Sequence, residues 1–246
     1  MYRILTYLAV AVVLGIALAP TSARANNIVI QHTGSTDPTT EGFAVFGATS
    51  VGPVDATAWN FQGTWQFGYY FEGLTATQIA NLNAAPTWTF TATYANLSPD
   101  TGPGCGICGP DGYGSDAEVS FGGKRFDLGL HSDGSGNQIL YLDPFAGAPD
   151  YTIPLLGTGP VTLSLVYNNT TGKGDAYVNG VDKISGFAGN TSSFLFSGVA
   201  FGGENGNFSN VELSYPSSTV PEPSSLILLG TGLLGLGGSV KRKFFS

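Results

Sequence analysis

Positive charge is scarce in this chain. Nine Lys and Arg stand against 17 Asp and Glu, and five of the nine sit at the extreme ends: Arg3, Arg24, Lys241, Arg242 and Lys243. Between them, residues 26–216 keep only Lys124, Arg125, Lys173 and Lys183 against 16 carboxylates, a formal charge of −12. Phosphate binding needs clustered Lys and Arg, so nucleic acid is excluded as a partner and an anionic headgroup surface is disfavoured. The acidity serves solubility.

Cysteine is nearly absent too. Cys105 and Cys108 form one Cys-x-x-Cys pair, and His32 and His131 are the only histidines, so a second pair of zinc ligands is missing. The pair lies in Thr101-Gly-Pro-Gly-Cys-Gly-Ile-Cys-Gly-Pro-Asp-Gly. That is a loop, not the helix start where a low-pKa thiol would sit. It reads as a small disulfide pinning a glycine-rich loop in an oxidising compartment, with redox chemistry and half a zinc site as the alternatives. Heptads, repeats of 20–50 residues and a Gly-x-Ser-x-Gly elbow are all missing.

Both ends carry what the middle lacks. Tyr2-Arg3, the apolar run Ile4–Ala19 and the small-x-small site Ala23-Arg24-Ala25 make residues 1–25 a secretory signal peptide, cut after Ala25 and read by the Sec translocon. At the other end, residues 217–246 comprise a short linker, then Pro221-Glu222-Pro223, an apolar segment 226–240 and the basic stop Lys241-Arg242-Lys243. Fifteen apolar residues span roughly 22 Å as a helix, against about 30 Å of bilayer hydrocarbon. Gly230, Gly232, Gly235, Gly237 and Gly238 weaken that helix further. A transient membrane helix that is later removed fits better than a permanent span.

This tail resembles the PEP-CTERM sorting signal. The resemblance implies a Gram-negative bacterium that makes extracellular polysaccharide. It also implies exosortase as processing partner, cleavage near Pro221-Glu222-Pro223, transient inner-membrane anchoring, and delivery to the cell envelope, outer surface or extracellular matrix.

Residues 26–216 suffice for one domain with a sizeable core. Short alternating runs broken by Gly, Pro, Asn and Asp predict an all-β antiparallel sandwich. Strands are expected over Ile28–Gln31, Phe43–Phe46, Trp65–Phe71, Thr87–Tyr94, Glu118–Phe121, Arg125–His131, Gln138–Leu142 and Val161–Asn168. In Thr87–Tyr94 four threonines alternate with Trp88, Phe90, Ala92 and Tyr94, giving one wet and one buried face. One short helix is expected near residues 75–84, capped by Thr75 or Thr77, with Ile79 and Leu82 inward. Asn179-Gly180 predicts a type I′ hairpin, and Phe194–Phe201 with Phe208–Tyr215 a last hairpin. The stretch Lys124-Arg-Phe-Asp-Leu, Asp175-Ala-Tyr-Val-Asn-Gly-Val, Ile184-Ser-Gly and the closing Phe208–Tyr215 strand is similar to the concanavalin A-like lectin/glucanase (LamG-like) jelly roll, with an immunoglobulin-like sandwich as the second choice.

That resemblance implies carbohydrate binding or glycoside hydrolysis. Laminarinase-type relatives carry Glu-x-Asp-x-x-Glu on one strand, and none of Glu41, Glu72, Glu118, Glu204 and Glu212 sits in such a motif. Asp116-Ala-Glu118 puts two acids on one strand face but lacks the third. A non-enzyme is therefore expected, with a divergent glycoside hydrolase or a structural protein-interaction module as alternatives. No cofactor is required. Asp133-Gly-Ser-Gly-Asn137 spaces oxygen ligands like the start of a calcium loop without its Gly and Glu, so Asp133, Asn137, Glu204 and Asn205 are candidate calcium ligands beside a plain hairpin-turn reading. Trp65 and Trp88 alternate with apolar residues and read as core, leaving Trp59 and Tyr70 as the candidate sugar contacts, with extracellular polysaccharide as the partner.

Overall fold

The computed structural model describes residues 26–63, 69–95, 114–132, 138–141, 153–155, 159–188, 190–191, 197–203 and 206–217. The expected signal, the sorting tail, Trp65, Cys105, Cys108, Asp133, Asn137, Glu204 and Asn205 lie outside them. Asn26–Pro216 forms one compact unit. Among the described residues, no helix is long and apolar enough to cross a membrane.

The unit is built from two eight-stranded antiparallel sheets. The first runs in the order β13 (Val181–Phe187), β12 (Lys173–Val178), β11 (Val161–Asn168), β6 (Thr87–Tyr94), β16 (Gly206–Pro216), β4 (Ala58–Gly63) and β3 (Ala48–Asp55). β1 (Asn26–Thr33) also pairs with β16. The second runs β10 (Ile153–Leu155), β9 (Gln138–Tyr141), β8 (Lys124–Ser132), β7 (Gly114–Phe121), β15 (Gly198–Gly203), β5 (Tyr69–Gly73) and β2 (Ala44–Phe46), with β14 (Asn190–Thr191) on β8. A sandwich results, as the alternation predicts.

Local chemistry explains the pieces that form where the sequence places them. In β6, Trp88, Phe90, Ala92 and Tyr94 are buried while the four threonines stay half-buried. On that wet face Thr91 bonds Ser164 at 3.1 Å and Thr93 bonds Thr162 at 3.0 Å, across the ladder to β11. The helix α2 (Ala76–Ala84) starts at a capping box: Thr75 Oγ1 accepts from the Gln78 amide, and Gln78 Oε1 accepts from the Thr75 amide at 2.8 Å. Leu82 is its buried residue. The β12–β13 turn has φ of 50° at Asn179 and 77° at Gly180, the pair of left-handed residues that a type I′ turn requires.

Two expectations need correction. A second helix, α1 (Pro38–Glu41), precedes the expected one. Asp37 caps it by accepting from the Thr39 amide at 2.9 Å, Pro38 supplies the pre-set first φ, and Gly42 closes it at φ 115°. Four residues hold no apolar period, so only these caps mark it. The last hairpin does not form either, because β15 and β16 belong to different sheets. Their inward rings explain why: Phe201 of β15 and Phe208 of β16 meet edge to face at 5.0 Å across the core.

The core is aromatic. Phe201 also contacts Phe43 and His32 at 5.1 Å and Tyr70 at 5.4 Å. Trp88 stacks on Tyr167 at 5.0 Å and meets Phe126 at 5.5 Å. Such pairs add about 0.5–1.5 kcal/mol each beyond their burial.

Candidate functional site on the outer face of the second sheet

Successive strand residues point to opposite faces, so a core-facing set fixes its neighbours outward. In β7, Ala117, Val119 and Phe121 belong to the core, which turns Asp116, Glu118 and Ser120 to the outer face. In β8, Phe126 and Leu128 are core, which turns Arg125 and Asp127 outward. In β15, Val199 and Phe201 are core, leaving Gly198, Ala200 and Gly202 outward. In β5, Tyr70 is core, leaving Tyr69 and Phe71 outward.

Register then assembles these into rows. One row reads Phe46, Tyr69, Gly202, Asp116 and Gly129, across β2, β5, β15, β7 and β8. The next reads Ala44, Phe71, Ala200, Glu118 and Asp127. A lane of small residues on β15 therefore separates an aromatic side from a charged side. Phe46, at 58% exposure, is the aromatic ring among the large hydrophobic side chains left open to solvent in the described residues. Tyr69, Phe71 and Asp116 are half-buried.

The charged side is dry although it faces away from the core. Glu118 is 4% exposed, Arg125 5% and Asp127 2%. Arg125 Nη2 donates to Glu118 Oε2 at 2.6 Å, and Nε donates to Asp127 Oδ1 at 3.2 Å. Burial pushes the Glu118 carboxyl up to about 7; Arg125 opposes the rise and Asp116 adds to it. The Tyr69 phenol is held protonated well above its ordinary range, first by the charge of Asp116 and then by burial. Tyr69 thus faces Asp116 across Gly202 as a neutral phenol.

Trp59 and Tyr70, expected to contact sugar, are not available for stacking. Trp59 is 8% exposed and Tyr70 1%, and the Trp59 indole donates to the Tyr70 hydroxyl at 2.9 Å inside the core. The bond gives the indole N–H an acceptor inside the core, so two rings that fall off the sequence pattern are still buried. The face also contains residues that sequence reasoning passed over: Phe46, Tyr69, Arg125 and Asp127. Asp116-Ala-Glu118 was visible in the sequence as two acids on one strand face, but only the β7–β8 register sets Arg125-x-Asp127 against it.

At the C-terminus the chain matches a known motif over residues 219–243. It is the PEP-CTERM protein-sorting motif. PEP-CTERM implies exosortase as the processing partner and export toward the cell envelope. No curated protein matches the sequence. Among solved structures, a conserved carbohydrate esterase of the Shiga toxin-encoding bacteriophage phi24B is similar at TM-score 0.56 and 8% identity, over 78% of this chain and 100% of that one. The binding domain of botulinum neurotoxin serotype D aligns at TM-score 0.47 and 10% identity, over 83% of this chain and 51% of that one. The Trypanosoma rangeli sialidase aligns at 0.46 and 17%, over 80% of this chain and 31% of that one. The likeness to the esterase is one of fold, a two-sheet antiparallel sandwich, and at this identity no activity passes with it.

Proposed function

We propose that this PEP-CTERM protein is a non-catalytic, carbohydrate-binding component of the cell envelope or extracellular matrix. In this reading residues 1–25 are its signal peptide and the 226–240 segment its transient anchor. The outer face of the second sheet is where glycan is held. The carrying observation is the row Phe46–Tyr69–Gly202–Asp116, which runs from an exposed ring to a half-buried carboxylate over a floor without a side chain. Sugars present apolar faces that pack on rings and hydroxyls that donate to carboxylates, and small sites of this kind combine both. Hydrolysis is disfavoured because it needs two carboxyl groups free to flank the bond. Glu118 is instead buried and tied to Arg125.

The test is retention of the exported protein on the producer's own polysaccharide. Phe46→Ala and Asp116→Asn should each weaken binding by roughly tenfold, about 1.4 kcal/mol. Undiminished binding by both variants would overturn the site. A structural, protein-contact reading is favoured by one different observation: Val45, Phe46, Val51 and Val54, on the adjoining β2 and β3, are all exposed. Under that reading neither the wild type nor the variants bind glycan.

A further inference from the structure

Asn179 opens the β12–β13 turn with a φ of 50° and is exposed to solvent. It extends the β11–β12 ladder by one unusual pair. Its main-chain N–H donates to the Thr162 carbonyl at 2.8 Å, and its side-chain Oδ1 accepts from the Thr162 N–H at 2.9 Å. The side chain therefore reaches back to β11 on one flank of β12, while the chain runs on through Gly180 to β13 on the other. Gly180 has no Cβ to shield its backbone nitrogen, and the space around it is open.

This pairing of residue types carries a reaction of its own. The Gly180 nitrogen attacks Cγ of Asn179, the new C–N bond forms as the Cγ–Nδ2 bond breaks, and the proton lost by the nitrogen leaves with ammonia. Water then opens the cyclic imide at one carbonyl or the other. The product is aspartate, or an isomer whose main chain runs through the former side chain.

We propose that Asn179-Gly180 is a self-acting deamidation site that the folded hairpin holds closed, so that opening of the β13 edge sets the rate at which the chain is modified.

Two restraints make the gate. The Thr162 hydrogen bond keeps the Asn179 side-chain carbonyl on the β11 side, so ring closure must first give up that bond. A type I′ turn also fixes the rotation about the Cα–C bond of Asn179. Turning the Gly180 nitrogen toward Cγ swings β13 out of its pairing with β12. β13 is the strand least able to resist. It is the outermost strand of the first sheet, Val181, Asp182 and Lys183 are exposed, and its pairing with β12 shifts register twice. Its hold on the core comes from the half-buried Ile184 and Phe187. The two products differ in consequence. Aspartate keeps an acceptor for the Thr162 N–H and tolerates the left-handed φ. The isomer lengthens the main chain by one atom inside a two-residue turn, so it cannot keep the hairpin register. The site does not depend on whether either face binds glycan.

Peptide mapping by mass spectrometry tests this on the purified protein aged in mildly alkaline buffer, folded and in urea. Cleavage after Lys173 and Lys183 separates Asn179 from Asn205-Gly206, the other Asn-Gly pair of the chain. Asn179 should convert in both samples, but more slowly in the folded one by roughly tenfold or more, the ratio given by an opening free energy of about 1.4 kcal/mol. Ile184→Ala loosens β13 and should raise the folded rate several-fold while leaving the rate in urea unchanged. Should that variant fail to fold, the comparison of folded and urea-held wild type still decides. Equal rates in those two samples, or a folded Ile184→Ala protein that converts no faster than wild type, overturns the gate. An Asn179 that stays unmodified in urea overturns the site.

Discussion

Phe201 sits where the aromatic side chains of both sheets meet, against His32, Phe43, Tyr70 and Phe208. Replacing it with Ala removes a ring that four neighbours cannot all move to refill. Phe201→Ala should therefore cost about 3–5 kcal/mol, read as a lower denaturant midpoint at unchanged slope. Its burial was legible, since Phe201 lies in an apolar run. Trp59 and Tyr70 were not, and the reason is specific. A strand with aromatic residues at consecutive positions, such as Tyr69-Tyr70-Phe71, has the right period but does not say which face is wet. The choice fell to Tyr70 because inward it meets Trp59 of the opposite sheet and Phe201, its register partner on β15, and neither contact can be read from the local pattern.

At the scale of elements, the β5–β15 pair carries the small-residue lane of the candidate site. At Gly198 an added Cβ would run into the Glu72 carbonyl and come within 2.6 Å of the Phe71 ring. The backbone atom cannot yield, so Gly198→Ala should loosen β15 from β5 and cost about 1–3 kcal/mol, seen as a drop in Tm and faster amide exchange along both strands. The β12–β13 hairpin was legible because Asn179-Gly180 sets its turn locally. The neighbouring β15 and β16 were misjudged as a hairpin, because adjacency in sequence does not choose between pairing within a sheet and crossing to the opposite one. The short α1 escaped notice for a related reason: its Asp37 cap and Gly42 stop are local, but it is too short to present an amphipathic face.

For the whole molecule, the acidic body and the short basic tail are separable by one cut. Exosortase processing implied by residues 219–243 should remove Lys241, Arg242 and Lys243. Protein recovered from outside the cell should then lack the C-terminal peptide by mass spectrometry, while Pro221→Ala with Glu222→Ala should keep it and stay membrane-associated. An untouched C-terminus on the exported wild type would contradict this. The sequence alone determined the sorting tail, the −12 body and the all-β class. Each of these depends on residue order or on local periodicity, which one dimension contains. Tertiary structure alone decided the face that joins Phe46 and Tyr69 to Asp116, Glu118, Asp127 and Arg125. Those residues come from four strands, and their meeting depends on inter-strand register, which lengthens or shortens no local pattern and leaves no trace in the order of the chain.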